Sequence, residues 1–206
     1  VVLCPDAAGF GERNRSPNRE VRTLQGRDLE HYLFGLQVVA GRCLAWKNIS
    51  DMRRAVSLLA ARPEVRAERL GCYGHSMGST HTWMVGPWEP RLKALVGNCC
   101  MPTYAAMERT SLIHCFPNYV PGWRQYGDLP DIVSLIAPRA LHLNFGELDA
   151  GSPIEEVRAA MPRLEQAWQA AGARANFSWF IEAGTGHVLS EEMWRLTKEH
   201  FRRHLG

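Results

Sequence analysis

No stretch of the 206 residues is apolar for long enough to cross a membrane, and none has the basic start and short apolar core of a secretory signal. A soluble protein is expected. The 24 Lys and Arg residues are scattered among 21 Asp and Glu, for a net charge of +3, so there is no basic stripe of the kind that holds nucleic acid. The six cysteines (Cys4, Cys43, Cys72, Cys99, Cys100, Cys115) form no C-x-x-C and no Cys/His spacing of a zinc site. Most lie in apolar runs, where a thiol behaves as a small hydrophobe, so they read as reduced and structural and point to a cytoplasmic setting. Internal repeats, low-complexity stretches and Gly/Ser linkers are also missing, which leaves one domain over residues 1–206. There is no initiator methionine. The chain opens Val1-Val2-Leu3-Cys4-Pro5-Asp6, already inside a strand-like run, and reads as truncated at its N-terminus; an export signal lost with that start would change the expected compartment.

What is present is an alternation of strands and helices. Apolar residues make up 46% of the chain, enough for a sizeable core. Five strands are expected, at Val1–Cys4, Arg69–Tyr73, Lys93–Gly97, Arg139–Phe145 and Asn176–Ile181. Between them, Ile49, Met52, Val56 and Leu59 recur at helical spacing before Pro63, as do Ile154, Val157, Met161, Leu164 and Trp168. A last helix follows over Glu191–Leu205. This pattern predicts an α/β fold with a mostly parallel sheet covered by helices on both faces. Residues 98–138 are rich in Pro, aromatics and Cys and too long for an ordinary connection, so they are expected to form a cap insertion.

Gly74-His75-Ser76-Met77-Gly78 is a G-x-S-x-G pentapeptide between an apolar strand-like run and a helix-compatible one. A serine on such a sharp turn is lifted clear of the sheet, and flanking glycines leave the backbone room to pack there. Ser76 is therefore the candidate nucleophile. An acid and a histidine follow in the order Ser, Asp, His: Asp149 after the strand-like run ending at Phe145, and His187 after the run ending at Ile181. Each sits where a strand reaches its carboxyl edge, the place where open α/β sheets carry their chemistry. Glu147 is a rival acid two residues before Asp149. His75 and His81 flank the serine and read as packing or polar neighbours. Glu12 and Arg13 read as an ion pair anchoring their loop, with a role in shaping the site as the alternative.

With these residues placed, the chain resembles the α/β-hydrolase fold, and within it the dienelactone-hydrolase-like and acetyl-xylan-esterase-like branch. The resemblance spans nearly the whole sequence. It rests on Pro5-Asp-Ala-Ala-Gly-Phe-Gly-Glu-Arg13, on Arg62-Pro-Glu-Val65 leading to Arg69-Leu-Gly-Cys-Tyr-Gly-His-Ser-Met-Gly78, on Leu135-Ile-Ala-Pro-Arg139, on Gly146-Glu-Leu-Asp149 and on Gly186-His187. It implies a Ser76, His187, Asp149 triad, an oxyanion donor at the Met77 amide, and hydrolysis of small-molecule esters of short-acyl or acetylated-sugar type through an acyl-enzyme. Neither a metal nor an organic cofactor is implied. Dienelactone hydrolases proper use cysteine as nucleophile, so Ser76 points to the ester-hydrolase side of the branch. Val1–Cys4 resembles the family's fourth strand, and the third strand and its oxyanion loop have no counterpart. Either Val1–Cys4 pairs beside Arg69–Tyr73 or the complete protein has more chain, and an edge left open is a route to a homodimer. The rival readings are a prolyl-oligopeptidase-type peptidase and a catalytically incomplete fragment or binding scaffold. A nucleotide-binding fold ranks last, since no G-x-G-x-x-G or lysine-bearing phosphate loop is present.

Overall fold

The computed structural model describes residues 1–14 and 23–206, which form two compact units. The larger comprises Arg66–His114 and Trp123–Gly206; the smaller comprises Val1–Val65 and Cys115–Gly122. The expected cap segment thus divides between them, with 115–122 in the smaller unit. No helix among the described residues is long and apolar enough to cross a membrane.

The larger unit is built on four strands, β1 (Leu70–His75), β2 (Leu92–Asn98), β3 (Ala140–Gly146) and β4 (Phe177–Glu182), in that spatial order. All three pairings are parallel. Every residue of β3 is buried, as an apolar central strand covered on both faces should be. Side chains alternate between faces, and the glycines show which helix lies on each. A Cβ on Gly71 would come within 2.8 Å of Leu205 and Phe201 on helix α7 (Glu191–Leu205), and one on Gly97 within 2.6 Å of Ser79 Oγ on α3 (Met77–Val85). Helix α6 (Ile154–Ala170) supplies Trp168, which stacks on Phe177 at 4.8 Å and donates its indole N–H to Arg139 O. The segment after β2 holds two short helices, α4 (Tyr104–Thr110) and α5 (Leu129–Ser134). Asp128 caps α5 in a reciprocal box with Asp131 and also accepts the Tyr104 and Ala105 amides at the start of α4, so one carboxylate anchors both helix starts.

In the smaller unit, α1 (Gly26–Val39) and α2 (Leu44–Ala60) are joined by a short turn. The Phe116 ring stacks on His31 at 4.8 Å and meets Phe34 at 5.2 Å. Residues Val1–Cys4, expected as a strand, are not in one. They pair with no other strand among the described residues, and Val1 and Val2 are 77% and 86% exposed; an extended run without a ladder partner leaves its amides to water. Arg13 is also placed differently: it pairs with Asp51 at 2.8 Å rather than with Glu12, and it donates to Asp6 O. The Glu12 amide donates to Asp6 Oδ2, so Asp6 anchors the loop. Gly11 is required there, since its φ is +54° and a Cβ would lie 2.2 Å from the Asp6 carboxyl.

Candidate active site

Ser76 sits between β1 and α3 with φ 57° and ψ −121°, a conformation that costs a non-glycine residue energy and that the surroundings must hold in place. Three hydrogen bonds do so. Its N–H donates to Asn98 O at 2.8 Å, and its carbonyl accepts from the Ser79 and Thr80 amides at 2.9 and 3.2 Å. The two motif glycines are not equivalent. A Cβ on Gly74 would lie 1.9 Å from Gly78 O, whereas one on Gly78 meets nothing within 4 Å among the described residues. The close approach therefore belongs to Gly74 alone. Gly74→Ala is expected to break the turn and the reactivity of Ser76 with it. Gly78→Ala should keep that reactivity within about twofold and stabilise α3 by about 0.5–1 kcal/mol, as alanine does for glycine in a helix. Thermal melts and probe-labelling rates of the two variants check this.

Asp149 and His187 arrive on loops that leave the carboxyl ends of β3 and β4. The loops touch: a Cβ on Gly146 would lie 2.1 Å from Gly186 O, and the Glu147 and Leu148 amides donate to Glu182 O and Thr185 O at 3.0 and 2.8 Å. His187 Nδ1 lies 2.8 Å from Asp149 Oδ2, and His187 Nε2 lies 2.7 Å from Ser76 Oγ. Asp149 is 3% exposed, and its other oxygen accepts the Gly151 amide at 2.8 Å. With Nδ1–H donating to the carboxylate, Nε2 is left to accept the serine hydroxyl proton. Glu147 takes a different part. One oxygen accepts the Gly184 amide at 3.0 Å and the other pairs with Arg158 at 3.2 Å, so it braces the histidine loop. Met77 opens α3, where an N–H has no intrahelical acceptor, and its amide follows directly after the serine.

Two neighbouring residues carry no motif. Asn98 ends β2, fully buried, and its side-chain N–H₂ reaches His75 Nδ1 at 2.7 Å and Val188 O at 3.2 Å. Cys99 follows with φ 54°, which aims its thiol under the histidine loop, where it donates to Val188 O at 3.2 Å. The signal in the sequence is only a polar residue closing an apolar strand. His75 places its ring 5.1 Å from that of His187, and burial, then the nearby His187, holds its pKa below the usual histidine value against the opposing pull of Asp149. His81 faces away, buried on α3, where burial pushes it down to about 4.

Among the described residues, Cys99, Asp149 and His187 form the one group of metal-ligand type, their donor atoms within 4.8 Å of one another. Each is already engaged. Burial, reinforced by Asp149, pushes the Cys99 thiol up to about 11, and the thiol donates to Val188 O at 3.2 Å.

No family model matches the chain. Among curated proteins it is similar to YtaP of Bacillus subtilis (strain 168), named as an inferred hydrolase, with 28% identity over 189 residues that cover 90% of this chain and 58% of YtaP. Among solved structures it is similar to a glucuronoyl esterase from Solibacter usitatus (TM-score 0.63, 20% identity, 79% of this chain and 48% of that one). A glucuronoyl esterase catalytic domain from Hypocrea jecorina gives a TM-score of 0.66 at 16% identity, over 79% of this chain and 51% of that one. The methylesterase BT1017 gives 0.60 at 17%, over 76% and 34%. The chain thus spans 58% of its curated relative and about half or less of these structures. The fold is that of the α/β hydrolases.

Proposed function

We propose that this chain carries the catalytic centre of a serine hydrolase that cleaves carboxylic esters, with Ser76 as nucleophile, His187 as general base and acid, and Asp149 as the group that orients His187. The observation that carries this reading is the continuous path from Ser76 Oγ to His187 Nε2 at 2.7 Å and from His187 Nδ1 to Asp149 at 2.8 Å. As Oγ bonds to the ester carbonyl carbon, its proton passes to Nε2, and Asp149 stabilises the resulting imidazolium. The carbonyl oxygen takes up negative charge and is met by the Met77 amide. Collapse breaks the bond to the alcohol, which leaves with the proton from Nε2, and water then repeats the sequence on the acyl-enzyme. The substrate class is supported by the sequence resemblance and by the names of the structural neighbours, two glucuronoyl esterases and a methylesterase. An ester of a sugar or of another small acid fits both.

The test is labelling of the purified protein with a fluorophosphonate probe, with peptide mapping. Modification confined to Ser76 is expected, followed by turnover of at least one member of a panel of p-nitrophenyl acetate, acetylated xylo-oligosaccharides and methyl glucuronate. A folded protein that the probe leaves unmodified would overturn the reading.

A further inference from the structure

We propose that Asn98 is a positioning residue for the reaction: it ties the nucleophile turn to the histidine loop and holds His75 as the neutral tautomer with its proton on Nε2. The inference rests on the triad reading above. Three chain segments meet on Asn98. Its carbonyl accepts the Ser76 amide at 2.8 Å, and its side-chain nitrogen serves both His75 on β1 and the carbonyl of Val188, the residue after His187. The orientation of the amide is dictated by Val188, because the opposite flip would set two carbonyl oxygens against each other. Nδ2 therefore faces Val188 O and also His75 Nδ1, and a nitrogen that receives a donor cannot carry a proton itself. His75 is thereby held with an unprotonated Nδ1. Asn98 Oδ1 is buried with no protein partner among the described residues, so the donor side of the amide makes all its contacts. Cys99 adds a second donor to Val188 O, from a backbone at φ 54° that an L-residue adopts only under constraint.

The consequence for the chemistry is electrostatic. The His75 and His187 rings lie 5.1 Å apart at 46°, and catalysis requires His187 to become positive as Ser76 attacks. A cation on His75 would oppose that step. A donor held against Nδ1 favours the neutral ring, in the same direction as burial. The titratable groups that act on His75 are His187 and Asp149; Cys99 beside Asn98 is a neutral thiol, acted on by Asp149 and Glu182, with Tyr73 on the same strand as His75.

Removing the donor should therefore slow the reaction and also change its pH dependence. The rate constant for fluorophosphonate labelling of Ser76 is measured from pH 5 to 9 for the wild type, Asn98→Ala, and Asn98→Ala combined with His75→Gln. Asn98→Ala is expected to label about tenfold more slowly at pH 8. Its acid limb should move up by about half a pH unit or more and steepen, because protonation of either ring now stops the reaction. The double variant, with no ring to titrate at 75, should stay slow while its limb returns to the wild-type position. A role in packing alone would slow labelling without moving the limb. Histidine-selective ¹⁵N NMR of the wild type, assigned with His75→Gln, gives a readout that needs no Asn98 variant to fold: His75 should carry its proton on Nε2 at pH 7. A wild type that does not label overturns the triad reading and this inference with it. A labelled wild type with the opposite tautomer, or with an unmoved limb in Asn98→Ala, overturns this inference alone.

Discussion

Ser76→Ala is expected to abolish probe labelling and to lower ester hydrolysis by at least about 10⁴-fold, in line with the loss of a nucleophile in other serine hydrolases. Asp149→Asn should cost about 10⁴-fold in turnover while leaving the fold intact, since the side chain keeps its shape but no longer selects the Nδ1–H tautomer of His187. Glu147→Gln is the informative contrast. Glu147 lies two residues away and also carries a carboxyl group, yet its oxygens go to the Gly184 amide and Arg158. A glutamine keeps an acceptor for Gly184, so turnover should fall by no more than about threefold, the cost of a partly exposed ion pair. Steady-state kinetics on one activated ester settles all three. A Glu147→Gln loss as large as that of Asp149→Asn would assign the acid to the wrong residue.

The second large effect concerns stability in acid. His81 on α3 and His200 on α7 are buried, and burial pushes them down to about 4 and about 3; His142 and His204 act further on His200, whose ring lies 5.7 Å from that of His142 and 4.7 Å from that of His204. His142, buried on β3, is also lowered, by burial against the opposing hydrogen bonds of Asn144 and Ser178. A folded-state value below the unfolded one means that the unfolded chain takes up these protons first as pH falls. The stability is complete above about 6.5 and is lost progressively between there and about 3 to 4. At pH 5, His81 and His200 should each cost about 2 kcal/mol relative to pH 8. Urea unfolding at pH 8, 7, 6 and 5 measures this. His200→Phe should remove about 2 kcal/mol of the loss between pH 8 and pH 5, the share carried by this ring, because a phenyl takes up no proton, while the lost contact with the Ala140 backbone lowers stability at both pH values. An unchanged slope in that variant would show that the acid sensitivity arises elsewhere.

Much of the layout was legible because it depends on residues close together in the chain. The apolar runs gave four strands to within about two residues, and the 3.6-residue spacing of Ile49, Met52, Val56 and Leu59 found α2. The G-x-S-x-G spacing placed Ser76 on its turn because the clash that demands Gly74 is with Gly78, four positions on. Where local pattern lacked its long-range partner it misled. Val1–Cys4 has the composition of a strand but no ladder, and Arg13 found Asp51 on α2 rather than its neighbour Glu12. Nor did the composition of residues 98–138 reveal that 115–122 would pack with α1 and α2.

The sequence by itself determined the α/β alternation, the sharp turn at Ser76 and the order in which serine, acid and histidine follow one another. Only the tertiary structure decided which acid meets His187 and what stands behind it. Ser76 and His187 are 111 positions apart, and Asn98 reaches back 23 positions to His75 and forward 90 to Val188. Periodicity and turn sterics act over a few residues and leave a mark in the order of amino acids. A hydrogen bond between loops depends on the parallel stacking of β1 to β4, which carries their carboxyl ends to one edge and makes neighbours of residues that no local pattern relates.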